Sequence, residues 1–381
     1  MTTSQDLTER DRDEAREHHH HEAISGRSRP GSGRRRRWPT WAPYAAAVWA
    51  VLVAGLAVVC TTTGAWYPLA TDPDSSASVL VGLPAGLGSV LLLCVAVLAA
   101  VLSALVARGH LMGWGNRPAA AVLVVLAIPL LFLVPDNNLL VMLGYAPILL
   151  LGAPFGWPPV NYLDNVTWPL VFQLISVIGG LLLVATALVL RRRARRSCPS
   201  CGRCALPPRW TTAESAAIWG RWAVLVAVVP PLLYAMDRWA WAAGIPLGIS
   251  QDFLDDMHRT GLVWAGFGLG TFAFLGAVLT LGLVQHWGEV FPRWILGLGG
   301  RRVPPLLAEI PATTVAIFIM SAAVPIVESG ARIARNGGED SLGWLQSAIL
   351  GSFPIWASAL GAATLAYHLR RRGTCLTCHR G

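Results

Sequence analysis

Eight apolar stretches alternate with polar segments along the chain, at 42–60, 79–107, 118–135, 169–190, 216–236, 261–284, 305–327 and 345–369. Most are about 20 residues long, the length at which a helix crosses roughly 30 Å of hydrocarbon. A helix satisfies its own backbone N–H and C=O groups, which lipid cannot do. The pattern therefore predicts an all-α, polytopic membrane protein with eight transmembrane helices.

Composition agrees. Of 381 residues, 54% are hydrophobic and only 13% charged, against roughly 25% charged in a typical soluble domain. That excludes an ordinary water-soluble globule and a disordered chain. Fourteen of the 17 tryptophans fall near predicted span ends, where an indole is apolar in the ring and wet at the N–H. Trp49, Trp264 and Trp356 read instead as core. The first apolar stretch follows a long polar tail without a small-residue cleavage site, so it is expected to be a retained span.

The net charge is +9, and every one of the 30 basic residues is arginine. Sorted by span, 26 of them fall on one side of an eight-span topology, and eleven acids fall on the other. Positive charge near span ends marks the cytoplasmic face, so both termini are expected inside a cell membrane. The runs Arg34–Arg37, Arg191–Arg193 and Arg370–Arg372 each abut a span, where lipid contact explains them. The expected partners are the lipid bilayer and a further membrane protein; nucleic acid is not expected.

The chain also repeats itself. Trp49-Ala-Val-Leu-Val-Ala54 recurs as Trp222-Ala-Val-Leu-Val-Ala227, Ile128-Pro129 as Ile310-Pro311, Trp168 as Trp344, and Cys198-Pro-Ser-Cys201 as Cys375-Leu-Thr-Cys378, at shifts of 173 to 182 residues. Four ordered matches predict two four-helix units. Because four is even, the units are parallel repeats about an axis along the membrane normal. The predicted organisation is a disordered cytoplasmic tail (1–37), a first repeat (38–197), a Cys-rich linker (198–215), a second repeat (216–372) and a Cys-rich tail (373–381). The loop at 136–167 is longer than its counterpart. Its apolar patch, 139–151, reads as a re-entrant or interface-lying segment, or as a loop folded over the bundle.

Leu233-Tyr-Ala, the segment Trp239–Gly248, Phe291-Pro-Arg-Trp294 and Arg301-Arg-Val-Pro304 resemble a family of small, uncharacterised four-helix integral membrane proteins from actinobacteria. The resemblance covers about residues 219–327. It implies a helical membrane fold and no known activity.

Five of the seven cysteines lie in segments predicted to be cytoplasmic, where thiols stay reduced. Tetrahedral zinc takes four thiolates, and C-x₂-C supplies two from one turn. Cys198 and Cys201 with Cys375 and Cys378 are therefore predicted to hold one zinc ion that joins the two halves, with Cys204 and His379 as spare ligands. Other readings of the same pairs are a redox dithiol, covalent haem at Cys375-Leu-Thr-Cys378-His379, which requires the opposite compartment, and two unconnected tails. Cys60 and Cys94, alone in spans, read as small hydrophobes.

Among the remaining polar residues, Glu309 opens the seventh span and is a candidate intramembrane functional acid. Asp252, Asp255 and Asp256 share one helical face with His258 nearby, as a cation site or, more simply, a solvated surface. No P-loop, dinucleotide fingerprint or catalytic triad is present. A non-enzymatic scaffold or accessory protein is the leading expectation. A small-solute or lipid transporter is the alternative, favoured by Pro129, Pro230, Pro231 and Pro311 as helix breakers, and a membrane thiol oxidoreductase is the third.

Overall fold

The computed structural model describes residues 38–63, 83–111, 115–136, 138–142, 167–204, 208–294, 297–336, 344–375 and 377–378, with single residues at 144, 146 and 154. The polar tail at 1–37 and most of the 139–151 patch lie outside the described residues. The described part is helical, without a named strand, and Val290 and Arg302 form an isolated β-bridge. The helices are α1 (Trp38–Thr63), α2 (Ala85–Ala107), α3 (Asn116–Phe132), α4 (Trp168–Ala194), α5 (Ala213–Ala242), α6 (Gln251–Thr260), α7 (Leu262–Leu281), α8 (Pro305–Asn336), α9 (Trp344–Gly351) and α10 (Phe353–Arg370).

Among the described residues, seven helical segments are long and apolar enough to cross a membrane, with α9 and α10 together forming the last. Only 17% to 56% of each apolar window is buried inside the protein. The rest, including Leu52, Val125, Ile178, Leu225 and Leu279, points outward. A continuous apolar exterior of this extent is untenable in water and natural in lipid. The protein is thus a multi-pass membrane protein. The stretch predicted at 118–135 is a helix of 17 residues, α3, shorter than the others.

Helix ends follow local chemistry. Thr212 caps α5 by accepting from the Ser215 amide, and Ser250 caps α6 by accepting from Phe253, each meeting one orphan donor of a first turn. Gly261, at φ +76°, closes α6 and opens α7; this left-handed corner needs a residue without Cβ. The prolines do not break helices as expected: Pro230 and Pro231 lie inside a continuous α5, and Pro311 inside α8. The interruption comes at Ser352, between α9 and α10, where Pro354 occupies the first turn of α10, a position whose amide has no helical partner.

Corresponding positions in the two halves share their surroundings. Ser176, Gly180, Leu183, Ala187 and Leu190 of α4 are buried, and so are Phe353, Ala357, Leu360, Thr364 and Tyr367 of α10, each 177 residues later. Arg193 donates to the Val106 carbonyl at 2.9 Å, and Arg370 donates to the Leu283 carbonyl, the same pair moved by 177 in both members. Ala42, Ala46, Ala50, Val53 and Ala57 of α1 match buried Ala216, Gly220, Val224, Ala227 and Pro231 of α5 at a shift of 174.

Two of the sequence matches fare differently. Trp49 is buried, its ring against Gly179 and its Nε1 donating to Ile175 at 2.9 Å, while Trp222 is 68% exposed. The hexapeptide match at 173 is one residue out of step with the burial pattern, which turns the two indoles onto different faces. Pro129 lies in the last turn of α3 and Pro311 in the second turn of α8, so these prolines sit at different depths. Trp264, expected in the core, is 63% exposed at the start of α7.

α3 and α8 meet directly. Ser321 of α8 donates to the Leu131 carbonyl of α3 at 2.9 Å. Within 138–142, Leu140 packs against the Ile319, Ala323 and Phe353 cluster, so this end of the patch folds onto the bundle.

Candidate metal centre

α4 ends in its arginine run. Arg196 adopts φ +47°, and its amide bonds to Arg193 while the Ser197 amide reaches back to Arg192 at 3.0 Å. These two bonds form a Schellman cap, here with an arginine where glycine is usual. The cap turns the chain away from the helix axis, and Cys198 follows immediately. The Gly202 amide then donates to the Cys198 carbonyl at 2.8 Å, and the Cys198 amide to Arg203 at 3.0 Å. Gly202 has φ +76°, which permits this tight turn.

Cys375 and Cys378 arrive from the end of α10 and meet the first pair. Cys198 Sγ lies 3.9 Å from Cys375 Sγ, and Cys201 Sγ lies 3.5 Å from Cys378 Sγ. All four sulfur atoms are within 4.8 Å of one another. Four thiolates bonded tetrahedrally at about 2.3 Å would stand about 3.8 Å apart. The two cross-pair distances bracket that edge length, and both exceed by far the roughly 2.05 Å of a disulfide. The donor set and its spacing fit a metal ion of the zinc type.

The backbone prepares both pairs alike. Cys198 accepts from the amides of Ser200 and Cys201, and Cys375 from those of Thr377 and Cys378, again a shift of 177. Burial raises the Cys198 thiol, but the two amides outweigh it and leave the group below its ordinary value. The Thr377 and Cys378 amides hold Cys375 down to about 6. Burial pushes Cys201 up to about 12, and sharing protons with the other three thiols adds to this. Four thiols this close titrate as a group, and all four ionise together only when a cation is among them.

Arginines tie the assembly together. Arg192 donates to Pro199 at 3.0 Å and to Ser200 at 3.4 Å, holding the first turn against α4. Arg203 donates to Gly373 at 3.0 Å and to Arg372 at 3.2 Å, linking the first Cys segment to the second. Their charge offsets the excess negative charge of a four-thiolate site.

Cys204 stands apart from the four, with Sγ 2.9 Å from Ser197 Oγ. His379 lies outside the described residues. Cys60 is buried and Cys94 exposed. Asp252, Asp255 and Asp256 are exposed and pair locally, Asp256 with Arg259 at 3.3 Å and Asp255 with Gln251 at 2.9 Å. Among the described residues, only the four cysteines form a metal-sized cluster.

Glu309 lies near the start of α8, with Oε1 3.1 Å from His368 Nδ1 of α10. Sequence reasoning places His368 at a span end but does not pair it with Glu309, because nothing in a separation of 59 residues joins the two. It also missed a buried cluster at the other end of the bundle. Asp237 is 1% exposed and lies 3.6 Å from the Arg238 guanidinium. That guanidinium stacks over the Trp241 and Tyr234 rings at 4.0 and 4.7 Å. Gln346, with its amide turned to match these charges, donates to Asp237 and accepts from Arg238, both at 3.0 Å. In the sequence the two charges count only among the acids and arginines of the side opposite the arginine-rich segments. An acid and an arginine adjacent to each other inside an otherwise apolar helix end were the available signal.

No protein-family model, curated protein or solved structure matches the chain.

Proposed function

We propose that the protein is a cell-membrane scaffold or accessory protein of eight spans, without enzymatic activity, whose two halves are clamped by one zinc ion. The ion would be held on the cytoplasmic face by Cys198, Cys201, Cys375 and Cys378. The observation that carries this reading is the meeting of four sulfur atoms, two from each half, at the spacing of a tetrahedral thiolate site.

The hydrogen bonds support eight crossings. Arg193, at the end of α4, reaches Val106, at the end of α2, and Tyr44, near the start of α1, donates to Ala107 at 3.2 Å. The chain leaves this end after α2 and returns to it with α4, so it must cross in between. Between α2 and α4 the longest helix among the described residues is α3. Its 17 residues reach about 26 Å at 1.5 Å each, close to the roughly 30 Å of a bilayer core. The recurring shift of 177, in burial, in the arginine–carbonyl bond and in both cysteine contacts, favours two parallel four-helix repeats. The arginine bias favours both termini inside.

The test is metal analysis of the full-length protein purified from membranes. One zinc per chain, with the four cysteines resisting alkylation until a chelator is added, is the expected result. A protein without metal whose four cysteines alkylate at once would overturn the clamp. For the scaffold role, cross-linking in native membranes is expected to capture a defined membrane protein, and its absence would count against it.

A further inference from the structure

A second site lies away from the cysteines. A cavity of about 410 Å³ runs between α8 and α10, within the range of roughly 300–1,000 Å³ typical of small-molecule sites. Its walls are one stripe from each helix. Glu309, Thr313 and Met320 come from α8; Ser358, Gly361 and His368 come from α10. Phe132 of α3 closes one side, so both halves contribute. The width comes from small residues. At Gly361 an added Cβ would meet no atom within 4 Å.

The cavity is polar at one end and apolar along its length. Glu309 and His368 stand at the end that carries the arginine runs. From Glu309 to Met320 the helix rises about 16 Å, half of a bilayer core of roughly 30 Å. The groove thus matches a single alkyl chain in one leaflet, with its head beside Glu309.

Charge selects the head. Among the described residues, Glu309 and His368 are the only ionisable ones lining the cavity, and no protein donor reaches the second Glu309 oxygen. Two of the neighbouring arginines are engaged elsewhere. Arg370 and Arg371 pair with Glu289 at 3.5 and 3.9 Å and donate to Leu283 and Val303. Arg372 has a buried Nε without a hydrogen-bond partner, but it does not line the cavity. A carboxylate or phosphate head would face the Glu309 acid, with the His368 imidazole, already in contact with Glu309, as the one basic group in the described wall. An ammonium head would meet a carboxylate in a partly desolvated groove, where such a contact is strong.

We propose that the cavity between α8 and α10 binds a single-chain amphiphile with a protonated amine head, which Glu309 recognises and His368 flanks. The site stands on its own residues and does not depend on the zinc clamp.

The test is binding of radiolabelled dodecylamine to the full-length protein in zwitterionic lipid nanodiscs near neutral pH, with dodecanol and dodecanoate as competitors. Saturable binding is expected, with both competitors weaker by about tenfold or more, as the loss of a charge-assisted contact implies. Glu309→Gln is expected to weaken amine binding by about the same factor while leaving dodecanol unchanged. Gly361→Leu, which fills open space, is expected to abolish saturable binding with thermal stability and cysteine protection retained. Unsaturable uptake of all three probes would show the groove to hold only bulk lipid and would overturn the proposal. Undiminished amine binding by Glu309→Gln, or tighter binding of dodecanoate, would overturn it as well.

Discussion

Cys201 and Cys378 stand 3.5 Å apart, sulfur to sulfur, and are separated by 177 residues. The same separation divides Cys198 from Cys375, at 3.9 Å. In a body built of two similar halves, a residue meets its own counterpart only near the axis that relates them. The cysteine cluster would mark the place where such an axis leaves the helices, and a metal bound there would join both Cys segments.

The four thiols differ before any metal binds, and alkylation of chelator-treated protein reads the difference. With its amide donors holding Cys375 down to about 6 and burial pushing Cys201 up to about 12, the group's first negative charge falls mainly on Cys375 and Cys201 keeps its proton longest. Mass spectrometry after a short exposure to iodoacetamide should find Cys375 modified first and Cys201 last. The reverse order would contradict the assigned amide donors. The same shift has a stability sign. An acid whose folded value is depressed stabilises above its free value and loses that contribution as pH falls. For Cys375 in metal-free protein the loss runs from about 9 through about 6.

Arg203 joins the two Cys segments through the Gly373 and Arg372 carbonyls. Arg203→Ala keeps all four ligands but removes that link. Part of the contact is exposed, so its worth is about 1 kcal/mol, or roughly fivefold in an equilibrium constant. Zinc transfer to a chromogenic chelator should accelerate by about that factor, with zinc content unchanged at the outset. An unchanged rate would show that the thiolates alone set the lifetime of the site.

Gly179 lets α1 and α4 close on each other. A Cβ there would fall 2.0 Å from the Trp49 ring, so Gly179→Ala forces the helices apart. Overpacking of this kind costs about 1–3 kcal/mol. The melting temperature in detergent should fall, and Trp49→Leu in the same chain should restore much of it. A silent Gly179→Ala would mean that this packing does not hold the helices.

Much of this architecture was legible in the sequence because it depends on one variable at a time. Span length and hydropathy marked the helices, arginine marked an end, and two C-x₂-C pairs at one shift marked the meeting point. What escaped depends on two residues at once, or on register. The Ile128-Pro129 and Ile310-Pro311 match is real in sequence, yet its members sit at different helix depths. The Trp49 and Trp222 hexapeptides are one residue out of step, which in a helix is about 100° of rotation. Hydropathy treats Asp237 and Arg238 as two expensive residues, although together with Gln346 and the Trp241 ring they satisfy much of each other's charge. Taking away one partner of such a buried pair costs about 3–5 kcal/mol, and no single-residue scale contains that coupling.

The central claim, one metal bonded by both halves, is tested most directly by X-ray absorption at the zinc edge of the full-length protein. Four sulfur neighbours at about 2.3 Å, reduced in number when Cys378→Ser is introduced, are the predicted result. A shell of nitrogen and oxygen neighbours, or a four-sulfur shell unchanged in Cys378→Ser, would contradict it.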